Sequence, residues 1–288
     1  MRALRKSALG YLFLLPALAI LFAFVALPVF DAVVMSFQQV TLSGERTFIG
    51  LDNYQLLLSQ SRFLQNLRYS LTYLGGVLAL SIPLGYLAAL LITSGSPVAN
   101  LFRTVFLLPW IMTTIVTALI FRSLVDPVTG PVAALFTAIT GEPQYFMIDP
   151  SLAMLTIVLH AAWRSFPLVM LFLAAGMAAI PREIYDAASI DGASGWRLFR
   201  HVTLPLTQTQ LFITALVITA FTLQDAEGVF ALTGGGPGHR TEVLAVRLMQ
   251  EAFRNLNLGL ASAISIALLL LGLAVMLLYV RLMKEENP

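Results

Sequence analysis

The sequence contains no cysteine. That excludes disulfides and thiolate metal sites and leaves the redox compartment open. Charge is scarce as well. Asp, Glu, Lys and Arg together make 11% of the 288 residues, where a soluble domain carries about 25%. The three histidines, His160, His201 and His239, are scattered, so no metal site is indicated. A net charge of +2 is too small to point to nucleic acid as a partner.

What fills the chain is apolar. Hydrophobic residues make 58% of it, and the mean hydropathy is +0.85. Such a chain is solvated only if lipid is part of its solvent. A helix needs about 20 apolar residues to cross the hydrocarbon core. Charge-free runs extend from Ser7 to Phe30, Tyr69 to Phe102, Thr104 to Phe121, Val202 to Gln224 and Asn255 to Val280. A further run, Leu152 to Ile180, is broken only by Arg164. The sequence predicts an all-α polytopic membrane protein, one transmembrane domain over 1–288. Its six spans fall at about 9–31, 69–93, 104–122, 152–178, 206–227 and 258–280. Pro16, Pro28, Pro83, Pro109 and Pro167 lie in or near spans, where prolines are tolerated and kink helices.

Arg2, Arg5 and Lys6 before an apolar run, with Ala17-Leu18-Ala19 behind, resemble a signal peptide. The run continues well past Ala19 and five more spans follow, so an uncleaved first helix is the simpler reading. The basic cluster places the N-terminus in the cytoplasm. Six spans then place the C-terminus there too.

Three outer segments follow, about 32–68, 123–151 and 228–257. The first holds Gly50-Leu51-Asp52-Asn53-Tyr54, a turn into a short interfacial helix. The third holds Thr233-Gly234-Gly235-Gly236-Pro237-Gly238, a flexible turn. Thr241 to Phe253 then reads as a short amphipathic interfacial helix. The glycine run is not a phosphate loop: no lysine precedes Thr241 and no strand-to-helix unit surrounds it. With no nucleotide motif elsewhere, any ATP used is hydrolysed by a different chain.

The inner segment 181–205 is the most informative. Pro181 opens a helix, and Glu183 and Asp186 sit near its N-terminus, where the dipole favours acids. Asp191-Gly192 breaks it, because glycine adopts backbone angles closed to other residues. A second short helix follows, with Trp196, Phe199 and Val202 on one side and Arg197, Arg200 and His201 more exposed. Leu204-Pro205 starts the fifth span. Physics alone leaves two readings open: a knob that fills a groove on a soluble partner, or a helix lying on lipid head groups.

The spacing decides more. Asp186-Ala187-Ala188, two residues, Asp191-Gly192-Ala193, five residues, Phe199, two residues, Val202, one residue, Leu204-Pro205 resembles a known loop. It is the E-A-A-x-x-D-G-A-x(5)-F-x-x-I-x-L-P loop of ATP-binding-cassette importer permeases. Asp186 stands where that family usually has glutamate, and Thr209 where a later proline is common. Gln224-Asp225, Val229 to Pro237, Thr241, Ala252-Phe253 and Leu258 to Ser265 resemble the carbohydrate-uptake branch, as does Phe48 to Tyr54.

The resemblance implies a transport subunit, not an enzyme, in a bacterial or archaeal cell membrane. It implies a second, homologous permease as heterodimer partner, two ATPase subunits and an extracytoplasmic solute-binding protein. No cofactor is expected on this chain itself. In that family's terms, the loop carries motion from the ATPase to the spans. Asp186 and Asp191 would couple, Gly192 would bend, and Ala187, Ala188, Ala193 and Phe199 would pack against the ATPase groove. The expected cargo is a sugar or sugar-like solute. Glycerol phosphate, amino acids or peptides are the alternatives within the superfamily, and an ATP-independent secondary transporter is the alternative outside it.

Inside the spans, Arg164 is the exceptional residue. A charge at a helix centre costs about 2.5–3.5 kcal/mol on insertion scales and so faces a cavity or a partner. Asp225 and Glu227 fall near the outer end of the fifth span, within reach of it. Two compatible readings follow. Arg164 pairs with Asp225 or Glu227 to hold two helices together, or Arg164, Gln224, Asp225 and Glu227 line a polar path, with Trp163 as a stacking surface. Tyr73, Tyr86, Trp110 and Tyr279 read as interfacial or packing aromatics, and His160 as a satisfied core residue.

Overall fold

The computed structural model describes residues 14–41, 44–95 and 97–286. The predicted first-span residues 9–13, and the basic cluster before them, lie outside the described residues. The chain forms two compact units, one of residues up to Phe63 with Leu248–Leu269, the other of Leu64–Arg247 with Leu270 onward.

In the first unit, α1 (Leu14–Met35) is a continuous apolar helix with one wider turn at Phe22–Ala26. Every residue from Leu14 to Phe30 is exposed. Strands β1 (Gln38–Val40) and β2 (Arg46–Phe48) pair antiparallel with Gln39 opposite Thr47. Gly50, at φ +62, turns the chain into α2 (Asp52–Ser59). That helix is anchored through one side. Asn53 is buried and its Nδ2 donates to the carbonyls of Ser36 and Gln38, each at 3.0 Å. A Cβ on Gly259 would strike the Gln38 carbonyl oxygen, so this close approach needs glycine.

In the second unit, α3 (Ser61–Thr93, whose first turn belongs to the other unit) and α7 (Pro150–Ala178) are the long elements. Asp149 starts α7 by accepting from the amides of Ser151 and Leu152, at 2.8 and 2.9 Å. Proline at the first helical position suits this start. Small residues let α3 and α7 approach closely: a Cβ on Gly76 or Gly85 would run into Val158 or Val169. Without a hydrophobic drive between helices in lipid, such close packing is what holds them.

Among the described residues, four helices are long and apolar enough to cross a membrane: α1, α3, α7 and α13 (Leu258–Glu286). Two bent helix pairs raise the number to six if each pair is one span. The predicted span 104–122 is α4 (Ala99–Ile111) and α5 (Thr114–Leu124), meeting at 98°. Pro109 removes a helical donor just before the break. Thr113, Thr114, Ile115 and Val116 are β-branched and weak helix formers. The predicted span 206–227 begins after a 71° bend at Thr207 between α9 (Gly195–Leu206) and α10 (Gln208–Leu223). It stops early, because Asp225 leaves helical geometry at ψ 77 and caps α11 (Ala226–Thr233) through the Gly228 amide.

The outer segment 123–151, read as loop, contains α6 (Pro131–Thr140), held by a small core of Val125, Ala133 and Phe146. The segment after Thr241 is also corrected. Thr241 to Arg247 are all buried, so α12 (Leu244–Met249) is an internal element and not an interfacial one. The cause lies in α3. Asn66 Nδ2 donates to the Glu242 carbonyl at 2.7 Å and to its carboxylate at 2.9 Å, and Asn66 Oδ1 accepts from Arg247 at 3.1 Å. Ser70 Oγ accepts the Leu244 amide at 2.8 Å. These bonds replace the water that an interfacial helix would use.

Candidate functional site: an exposed helical knob and an intramembrane polar cluster

The 181–205 segment folds as a helix, a turn and a second helix. α8 (Arg182–Ile190) follows Pro181 and carries Glu183 in its first turn. The Asp191 amide closes the last turn on Ala187, and the Ala193 amide reaches the Ala188 carbonyl at 2.9 Å. Gly192 makes the bend at φ +82. α9 then runs without interruption through Phe199 to Pro205, with one wider turn at Phe199–Thr203.

One side of this knob is tied to the spans. Phe199 meets Tyr86 edge-on, with ring centroids 5.4 Å apart. The Tyr185 hydroxyl lies 3.4 Å from Thr203 Oγ1, and the Tyr86 hydroxyl 3.0 Å from Thr207 Oγ1. The other side is bare. Asp186, Ala187, Asp191, Gly192 and Pro205 are exposed, while Ala188, Ala193, Phe199 and Leu204 are half-buried. Ile190 is 86% exposed. Trp196, expected to pack inward with Phe199, is 68% exposed, touching Phe199 only at a ring-centroid distance of 5.2 Å. The side chains of Asp186 and Asp191 have no partner among the described residues.

The polar cluster sits among α3, α5, α7 and the Asp225 turn. The Tyr73 hydroxyl donates to Asp225 Oδ2 at 2.6 Å. His160 Nε2 lies 2.9 Å from Thr117 Oγ1, while its Nδ1 is buried without a partner, so His160 is half-satisfied rather than satisfied. Arg164, one turn further along α7, has a buried Nε that no acceptor meets. Asp225 and Arg164 are both close enough to Tyr73 and His160 for their charges to act on them. No ion pair within 4.0 Å joins Arg164 to Asp225 or Glu227 among the described residues, so the pairing reading fails here. Asp225 is already engaged by Tyr73 and the Gly228 amide.

The remaining path residues are not gathered. Gln224 and Glu227 are exposed, and Trp163 faces away, against Phe121 at 5.5 Å and along an apolar groove with Leu84, Pro109 and Phe166. Tyr73 is the member that sequence reasoning missed. Its partner lies 152 residues away, and an aromatic inside a span carries no local signal of a polar role.

This arrangement can be compared with known proteins. Residues 81–285 match the family described as binding-protein-dependent transport system inner membrane component. The chain belongs to that family. As such an inner membrane component, it is similar over most of its length to characterised and inferred permeases. It is 36% identical to the probable ABC transporter permease protein YurN of Bacillus subtilis (strain 168), covering 97% of both chains. It is 31% identical to the trehalose/maltose transport system permease protein MalF of Thermococcus litoralis, covering 96% of this chain and 94% of that one. Its fold matches a chain in the crystal structure of a bacterial ABC transporter involved in import of the acidic polysaccharide alginate. There the TM-score is 0.84 at 20% identity, over 100% of this chain and 99% of the other. The inner membrane component is therefore a multi-pass ABC import permease, with its helical knob in the segment that resembles the family's loop.

Proposed function

We propose that this chain is one of two homologous permeases forming the channel of a sugar importer. A solute-binding protein delivers the cargo outside, and two ATPase subunits hydrolyse ATP inside, since this chain carries no nucleotide motif. Transport proceeds by alternating access, with the 181–205 knob as the lever. The observation that carries this reading is the two-sided knob. Phe199 ties it to α3 through Tyr86 and Tyr185 braces α8 against Thr203, while Asp186, Ala187, Ile190 and Asp191 are presented outward with nothing on them among the described residues. A rigid element free on one face transmits a push from whatever fills that face.

A sugar cargo is supported by the similarity to the trehalose/maltose permease and by the carbohydrate-branch segments around Gly234–Pro237 and Leu258–Ser265. Arg164, Asp225 and Tyr73 offer donors and acceptors of the kind that hydroxyl-rich solutes use. Bound sugar would be met by Arg164 from α7 and by Asp225 across from it. Gln224 and Glu227, exposed in the isolated chain, would face the partner permease or the path mouth.

Because the chain has no cysteine, single-cysteine variants need no background removal. Ile190→Cys in the assembled complex should cross-link to a cysteine placed in the ATPase groove, with a yield that changes when ATP is bound. Absence of any ATPase cross-link from Ile190 in a complex that transports would refute the lever assignment.

A further inference from the structure

Between the knob and the inner ends of the spans lies a cleft of about 1230 Å³. Its walls are apolar: Leu87 and Leu90 of α3, Met177 of α7, Phe199 and Leu204 of α9, and Leu211 of α10. Its charged lining is of one sign. Arg103 of α4 and Arg182 of α8 both line it, and no acidic side chain does. Neither guanidinium has a hydrogen bond or ion pair among the described residues. Two unpaired guanidinium groups lining an apolar cleft at the ends of membrane-crossing helices form an amphipathic receptor, hydrocarbon and cation together.

We infer that this cleft holds an anionic phospholipid of the inner leaflet, its phosphate on Arg103 and Arg182 and an acyl chain along Leu87, Leu90 and Leu211. Charge complementarity favours this occupant over a protein segment. Arginine matches a phosphate bidentately, and basic pockets between helices on the cytoplasmic side take anionic head groups. The faces of α8 keep the lipid and the ATPase apart. Arg182 and Tyr185, three residues apart, share the cleft side. Glu183 and Ala187 recur at the spacing of the opposite side, with Asp186 and Ile190 between the two. A lipid seated there braces the knob from behind, so anionic lipid supports coupling between ATPase and spans. The inference rests on the cytoplasmic placement of the knob proposed above.

The test uses the assembled importer in nanodiscs of phosphatidylcholine with and without phosphatidylglycerol, with retained lipid read by native mass spectrometry. The wild-type complex should keep phosphatidylglycerol selectively. The Arg103→Gln/Arg182→Gln variant should bind it about twenty-fivefold more weakly, about fivefold for each basic group. Leu90→Trp, which fills the cleft wall without touching charge, should also displace it. Arg122→Gln, an exposed arginine outside the cleft, should leave retention unchanged. Excess inorganic phosphate should not displace the lipid; displacement would make the ligand a free anion and overturn the acyl-chain assignment. Wild-type retention in both the double variant and Leu90→Trp overturns the inference, as does a cross-link from Leu90→Cys to another subunit. Labelling of Ser189→Cys separates this failure from that of the function. Cytoplasmic labelling with unchanged lipid retention sinks only the lipid site, whereas labelling from outside sinks the orientation itself.

Discussion

Gly192 turns the chain at φ +82, and a Cβ built there meets nothing within 4 Å. Space does not forbid a side chain at this position; backbone geometry does. The left-handed region costs an L-residue about 1–2 kcal/mol, and β-branching makes it worse. Gly192→Val should therefore leave the spans folded and the complex assembled but re-aim α9 relative to α8. Uptake in vesicles should fall by about tenfold or more, the equivalent of about 1.4 kcal/mol in the coupled step, while ATP hydrolysis continues. Full uptake by an assembled Gly192→Val complex would show that the bend is not part of the lever. Arg164 calls for a different comparison. With a buried Nε lacking an acceptor and no carboxylate within pairing distance among the described residues, it contributes little to holding α7 against α11. Arg164→Ala should keep assembly at the wild-type level and reduce uptake; equal losses of assembly and uptake would restore a structural role. Both residues were visible in the sequence, Gly192 through its Asp-Gly break and Arg164 as the lone charge in an apolar run. Tyr73 was not, because a hydroxyl among span aromatics announces nothing until the fold brings Asp225 to it.

At the scale of elements, the long charge-free runs gave the helices their places, because length and hydropathy are the physical requirement for crossing lipid. The same signal misread what bends. The runs 104–122 and 206–227 look continuous in hydropathy, yet each is broken at threonines, where β-branching and neighbouring prolines weaken the helix without adding charge. The burial of α12 was illegible for a similar reason. Its alternation of apolar and charged residues fits an interface equally well, and only Asn66 and Ser70 on α3 show that Glu242 and Arg247 turn inward. Asn66 is the hub of that element. Asn66→Leu removes one partner from the Glu242 carboxylate and one from Arg247, and leaves the Glu242 carbonyl without its side-chain donor. Bonds to charged groups contribute about 1.5–3 kcal/mol each. The variant should lower the thermal midpoint of the detergent-purified protein and open 241–254 to proteolysis. Asn66→Asp, which can accept from Arg247 but repels Glu242, should do so more strongly. Protection of 241–254 equal to wild type in both variants would mean that apolar packing alone holds α12.

The whole molecule poses a question of parity. α4 and α5, with 13 and 11 residues, reach about 20 and 17 Å along their own axes at 1.5 Å per residue, so neither alone spans a core of about 30 Å. Together, bent at 98°, they either cross or dip in and return. The choice fixes everything downstream, because α7 crosses in either case. If the pair crosses, the turn at Asp126–Gly130 lies outside and the 181–205 knob lies in the cytoplasm. If it returns, the turn is cytoplasmic and the knob is outside, where no ATP-hydrolysing partner can reach it. The asymmetry of basic residues favours the first arrangement only modestly. Cysteine labelling resolves it directly in a chain that has no native cysteine. Val128 is 89% exposed and Thr47 and Ser189 are exposed. In intact cells, a membrane-impermeant maleimide should modify Thr47→Cys and Val128→Cys, and should modify Ser189→Cys only after permeabilisation. Thr47 reports on α1 alone and checks that the N-terminus is inside. Val128 and Ser189 must then label from opposite faces, since one crossing, α7, separates them. Labelling of Ser189→Cys from outside with Val128→Cys protected would make the bent pair re-entrant, and the knob would lose its role as the contact for an ATPase.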